Sequence, residues 1–207
     1  MPSGTLAFWF DFASTYSYLA SQRIEKVAAG RGFAVDWRPF LLGPLFQRQG
    51  WNDSPYKLNP ARGRYMWRDL ERQCARDGVP FRRPTVFPRR SILPARVACL
   101  GHGRDWLAPF ARAVFRANFA EDHDIEDPEQ LLDLLRRSGA AADDAAARGL
   151  LDRAVEQETK DLLRAETERA WSLGMFGAPT FVAHGEIFWG NDRLEEALDW
   201  LARPGRA

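Results

Sequence analysis

Two short segments of mixed pattern, one at each end of the chain, flank a purely helical stretch over residues 43–173, and this order restricts the fold more than any other feature. At the first end, Thr5 to Phe12 is short, apolar and aromatic, which predicts a buried strand. After Ala13-Ser14-Thr15, apolar residues recur at Leu19, Ala20, Ile24, Val27 and Ala28, the spacing of one sticky helical face, until Gly30 and Gly32 stop it. Phe33, Val35 and Trp37 then alternate with Ala34, Asp36 and Arg38, as a strand requires. Strand, helix, strand predicts a right-handed parallel unit. At the far end, Phe181-Val182-Ala183 and Glu186-Ile187-Phe188-Trp189 surround His184-Gly185, a hairpin signal. Leu194, Ala197, Leu198 and Leu201 mark a last helix, with Asp192 and Glu195 at capping-box spacing.

Between these ends the reading is all helix. Leu41 to Asn59 is rich in Gly, Pro and Asn and predicts a loop with one helical turn. Asn59-Pro60 and Asp127-Pro128 each place a capping side chain before a proline at the first helical position, predicting helices to about Arg76 and Gly139. Pro80, Pro84 and Pro88 keep Val79 to Arg90 irregular. Ser91 caps a helix to about Gly101, another covers Asp105 to Phe119, and one long helix runs from about Asp144 to Leu173. The expected organisation is an α/β domain from residues 1–42 and 174–207, interrupted by a helical insertion at 43–173.

Charge and cysteine usage narrow the function. A net charge of +1 gives no reason to expect nucleic acid or an anionic membrane as partner. No apolar run approaches the 18 or so residues of a membrane span, and no basic segment leads into a signal-like apolar stretch. The final Gly205-Arg206-Ala207 is not a peroxisomal address. Cys74 and Cys99 form no CxxC and have no metal-ligand spacing, so reduced thiols in a cytoplasmic protein with no metal are expected. The acidic run Glu121 to Asp127 lacks the glycine-centred pattern of a calcium loop and reads as a solvated turn.

Three pieces carry candidate chemistry. Ser14 and Ser17 stand where the first strand turns into a helix, whose free N–H groups and positive end favour an anion. That field would stabilise a thiolate, but the chain places no sulfur there, so a thiol would have to come from a ligand, with Ser14 donating to it. Taken alone, Ser14 reads as a plain N-cap. In Gly177-Ala178-Pro179-Thr180, a cis proline before a strand would turn the backbone of Ala178 outward for an extended peptide, and a trans proline on an edge strand is the alternative. In Gly190-Asn191-Asp192-Arg193, Asp192 could accept from an amino group, or simply cap the last helix.

Taken together, FDFASTYSYLA, FGAPT and WGNDRL resemble the glutathione-dependent 2-hydroxychromene-2-carboxylate isomerases and the related kappa-class glutathione transferases, with agreement in element order over nearly the whole chain. The resemblance implies a DsbA-like thioredoxin fold with a helical insertion, a homodimer, and glutathione and a small molecule as substrates. It implies that Ser14 contacts the glutathione sulfur, that Ala178, before cis Pro179, pairs with the cysteinyl backbone, and that Asn191 and Asp192 hold the γ-glutamyl end. Arg62 matches a basic residue near the glycyl carboxylate, and Asn52 a residue that touches glutathione. Thr15 departs from a common family proline, and Arg90 from a common family asparagine. The implied reaction is thiolate addition, bond rotation and elimination on a small aromatic carboxylate. The alternatives are kappa-type transfer and a non-catalytic peptide-binding relative of thioredoxin. The missing CxxC argues against a disulfide oxidoreductase.

Overall fold

A computed structural model describes residues 4–204; the Gly205-Arg206-Ala207 tail lies outside the described residues. The opening apolar run forms β1 (Thr5–Phe10), followed by α1 (Thr15–Ala29) and β2 (Ala34–Pro39). β1 and β2 pair in parallel, from Thr5 opposite Ala34 to Phe10 opposite Pro39. At the other end β3 (Thr180–Ala183) and β4 (Glu186–Trp189) form an antiparallel hairpin. Its two-residue turn has positive φ at His184 (49°) and Gly185 (82°), the geometry that matches the twist of adjoining strands. β3 inserts antiparallel beside β1, giving the strand order β2-β1-β3-β4.

The pleat sends alternate residues of β1 to opposite faces. Leu6, Phe8 and Phe10 are fully buried on one face, where Phe10 meets Trp37 and Phe115 with ring centroids 5.6 and 5.8 Å apart. Trp9 faces the other way and packs with Phe40, Leu45, Ala170 and Met175. Each such ring stabilises the fold by about 1.5–3 kcal/mol on burial. The strand therefore stands in the middle of the molecule, and whatever is attached to its C-terminal end is held rigidly.

Between β2 and β3 the described chain is helical: α2 (Leu42–Arg48), α3 (Pro55–Leu58), α4 (Pro60–Asp77), α5 (Ile92–Leu100), α6 (Leu107–Phe119), α7 (Pro128–Arg137), α8 (Asp144–Ala154) and α9 (Gln157–Ser172). The cap-then-proline signals behave as read: the Asn59 side chain accepts from Arg62 N–H, that of Asp127 accepts from Glu129 N–H, and Pro60 and Pro128 open their helices. Gly78 ends α4 in the left-handed region.

Three expectations need correction. The single long helix over Asp144 to Leu173 is two helices, because Glu156 is extended (ψ 156°) and the ladder stops at Ala154. Val155 and Leu162, apolar residues on either side of the break, are exposed. The loop over Leu41 to Asn59 contains two short helices, α2 and α3. No capping box forms at the last helix. Asn191–Arg193 is a 3-10 turn, α10 starts at Leu194, and Glu195 pairs with Arg23 of α1 instead of reaching back.

Candidate active site at the start of the first helix

The register of β1 against β3 builds the site. Trp9 lies opposite Thr180, and continuing the pairing two residues brings Asp11 across from Ala178. The turn after β1 therefore meets the loop before β3. Ser14 is the N-cap of α1, and its Oγ accepts from Ser17 N–H at 3.1 Å, satisfying one orphan donor of the helix. The same hydroxyl donates to the Ala178 carbonyl at 3.0 Å, across 164 residues of sequence. Both readings of Ser14 thus hold at once: it caps the helix, and it faces the proline loop. The Ala178–Pro179 bond is cis. Among the described residues no hydrogen bond reaches the N–H of Ala178.

This junction forms part of the wall of a cavity of about 680 Å³, where Ser14, Ala178, Asn52 and Arg62 come together. Arg62, in the first turn of α4, is exposed and has no carboxylate partner among the described residues. Tyr56, Phe87 and Trp189 supply apolar wall. Trp189 stacks edge-on against Phe176 at 4.9 Å, and both rings are largely exposed at the rim. Arg90 and Thr15, the departures from the family pattern, also line the cavity. Arg90 is 77% exposed and only loosely paired with Glu126 at 3.9 Å, so its charge is available at the mouth.

Asn191 and Asp192 are placed differently. Neither they nor Pro179 line the cavity. The Asn191 side chain is committed on both sides: its Oδ1 accepts from Arg23 Nε at 3.2 Å and its Nδ2 donates to Gln73 at 3.1 Å. Arg23 also donates to the Asn191 carbonyl at 2.7 Å. Asn191 therefore ties α1 and α4 to the chain before α10. Asp192 is 72% exposed and pairs with Arg193 at 3.3 Å.

Asp11 is the principal feature that sequence reasoning passed over. It is 4% exposed, under the cavity floor. Its Oδ1 accepts from Ala13 N–H (2.8 Å) and the Ser91 hydroxyl (2.7 Å), and its Oδ2 from Leu42 N–H (2.7 Å). Burial pushes the Asp11 carboxyl above the ordinary carboxylate range, opposed by the Leu42, Ala13 and Ser91 hydrogen bonds. The signal was present, a carboxylate between two phenylalanines that are both buried. α1 has no acidic residue of its own in its first turn, so no side chain of its own first turn offsets the positive field.

No thiol of the chain reaches this field. Cys74 lies in α4 and Cys99 in α5, and burial pushes them up to about 11 and about 12. The site can therefore hold an anion at a helix start, pair an extended backbone at Ala178 and attract carboxylates at its rim, but it supplies no nucleophilic sulfur.

Comparison with known proteins identifies the family. The family model of the DSBA-like thioredoxin domain matches residues 5–202. The 2-hydroxychromene-2-carboxylate isomerase of Sphingobium xenophagum is 30% identical over 198 residues, covering 95% of this chain and 97% of the relative. Glutathione s-transferase kappa 2 of Caenorhabditis elegans is 27% identical over 210 residues, covering 95% and 91%. A solved structure of a 2-hydroxychromene-2-carboxylate isomerase superposes with a TM-score of 0.82 at 26% identity, covering 96% of each chain. The chain belongs to the DSBA-like thioredoxin domain family, in the branch that holds the 2-hydroxychromene-2-carboxylate isomerases and kappa glutathione transferases.

Proposed function

We propose that this protein is a glutathione-dependent isomerase of the 2-hydroxychromene-2-carboxylate type. The observation that carries the proposal is the Ser14–Ala178 contact at 3.0 Å, at the start of a helix, in a site without a protein thiol. Glutathione supplies, when bound, a thiolate that can add to an electrophilic carbon and leave again once the former double bond has rotated. The residues present fit the tripeptide. Ala178 offers an N–H without a partner among the described residues, and a carbonyl, the two groups that an extended backbone needs. For the glycyl carboxylate, Arg62 offers a guanidinium that has no carboxylate partner among the described residues, and Asn52 lies on the same wall. Asp192, exposed beyond the proline loop, accepts from the γ-glutamyl ammonium, while Asn191 anchors that segment from below.

Ser14 has a single proton to donate, and in this structure the Ala178 carbonyl takes it. To serve a thiolate the hydroxyl rotates away from Ala178, and the incoming cysteinyl N–H replaces it on that carbonyl. The exchange keeps every donor and acceptor paired, and the helix field adds to the stabilisation of the thiolate. Positioning and thiol acidification are thus the protein's share of the work, in a cytoplasmic homodimer that handles aromatic carboxylates.

Calorimetry with glutathione, followed by chromatography of the products from 2-hydroxychromene-2-carboxylate, tests the proposal. Saturable binding and an isomer of unchanged mass are expected. No heat at millimolar glutathione would remove the enzyme reading and leave the peptide-binding one. A stable glutathione conjugate would assign the transferase activity, a reading supported by the 27% identity to a kappa transferase.

A further inference from the structure

Asp11 stands at the meeting of three segments that line the cavity. One oxygen holds the Ala13 N–H, in the turn that presents Ser14, and the Ser91 hydroxyl, at the start of α5 and next to Arg90. The other holds the Leu42 N–H, at the first residue of α2. The Asp11 carbonyl accepts from the Ser14 N–H itself at 2.9 Å. Ser91 is at an N-cap position but makes no side-chain cap, because its hydroxyl is turned to Asp11 instead. A carboxylate that is 4% exposed and accepts three donors from three separate chain segments is not there for solubility.

We propose that Asp11 is a positioning residue that fixes the Ser14 hydroxyl and locks it to the two walls formed by α2 and the start of α5. The inference rests on the glutathione reading above. It has a chemical reason. A charge buried close to a bound thiolate opposes that thiolate, so a site selected for thiol acidification alone would place no carboxylate there. Its retention under Ser14 is explained if geometry matters more than its charge. The Leu42 and Ala13 N–H groups need an acceptor on both sides, which the two oxygens of a carboxyl group provide and an amide does not.

Asp11→Asn separates position from charge. The amide keeps the volume but turns an N–H₂ toward the Leu42 N–H on one side or toward Ala13 and Ser91 on the other, releasing one wall. Affinity is measured by calorimetry for glutathione and for S-methylglutathione, which carries the same backbone without an ionisable thiol. The expected result is about tenfold weaker glutathione binding, the size of one charge-assisted hydrogen bond, with S-methylglutathione within about twofold of wild type. Ser91→Ala removes a single donor and should shift the same ratio in the same direction, by less. Tighter glutathione binding in Asp11→Asn would mean that charge is what matters, and would overturn the proposal. An equal loss for both ligands would reduce Asp11 to general scaffolding and overturn it as well. If Asp11→Asn does not fold, an unchanged ratio in Ser91→Ala is the contrary result. Failure of the wild-type protein to bind glutathione would instead defeat the functional reading on which the inference stands.

Discussion

Replacing Ser14 by alanine removes three things of different kinds. The N-cap to Ser17 N–H is worth about 1 kcal/mol, and the hydrogen bond to the Ala178 carbonyl about another 1 kcal/mol. The sum, about 2 kcal/mol, corresponds to a fall in melting temperature of about 4–8 °C for a chain of this length. Glycine at the same position retains most of the cap, so Ser14→Gly should lose only about half as much. Activity should not follow stability. A hydrogen bond to a charged partner is worth about 1.5–3 kcal/mol, which corresponds to about one to two units of thiol pKa. Near pH 7, with the variant's thiol back at about 8.5, that lowers the thiolate population about 10- to 30-fold, but the less acidic thiolate is the stronger nucleophile, with a Brønsted coefficient of about 0.5. The net loss in kcat is then only about 2- to 3-fold, the same for alanine and glycine. The penalty in thiolate population should vanish as pH rises above about 8.5, where a free thiol ionises unaided. Thermal denaturation and pH–rate profiles of the three proteins provide the assay. A rate loss that follows melting temperature, or full activity in both variants at pH 7, would refute this reasoning.

Other expectations follow from single residues. A Cβ on Gly63 would lie 2.3 Å from the Tyr56 carbonyl oxygen, so Gly63→Ala must separate α3 from α4; a loss of about 1–3 kcal/mol in urea denaturation is expected, with weaker glutathione binding at the displaced Arg62 wall. Arg90→Asn should raise KM for an anionic electrophile at low salt and leave KM for glutathione and the melting temperature unchanged, and salt should erase the difference. Arg89, hydrogen-bonded to Asp122, holds that carboxyl down at about 2, so the folded state favours its ionised form. The stability it contributes is present above the ordinary carboxylate value and is lost as pH falls toward about 2; Asp122→Asn should therefore unfold earlier than wild type at pH 6 and converge with it near pH 2. Cys74 and Cys99, with thiols raised by burial, should resist alkylation in the native protein at pH 7.5 and react only on unfolding, and rapid labelling of either would contradict their environment.

Local chemistry made much of this fold legible in the sequence. β1, α1 and β2, the His184-Gly185 hairpin and the cap-then-proline helix starts each follow from a few neighbouring residues, and the structure has them where expected. Ser14 and Ala178 were identified from separate motifs, and the pairing of β1 with β3 brings them within hydrogen-bond distance. What local pattern did not reveal depends on partners distant in sequence. Glu195 sits at capping-box spacing from Asp192, yet a guanidinium on α1 outcompetes the backbone for its carboxylate. Asn191 seemed available to a ligand until Arg23 and Gln73 took both ends of its amide. The break at Glu156 follows no proline or glycine, and its apolar neighbours Val155 and Leu162 extended a helical pattern that no core receives. Asp11 was hidden for the same reason, because the Leu42 and Ser91 groups that make its burial tolerable come from elements 31 and 80 residues away.

The central claim concerns a thiol the protein does not own. Its most direct test is the ultraviolet absorbance of the thiolate as a function of pH, measured on glutathione saturating the wild-type protein. A midpoint at least one unit below that of free glutathione is expected, with the difference largely lost in Ser14→Ala. Glutathione that binds and still titrates like the free tripeptide would contradict the proposed role of the α1 terminus.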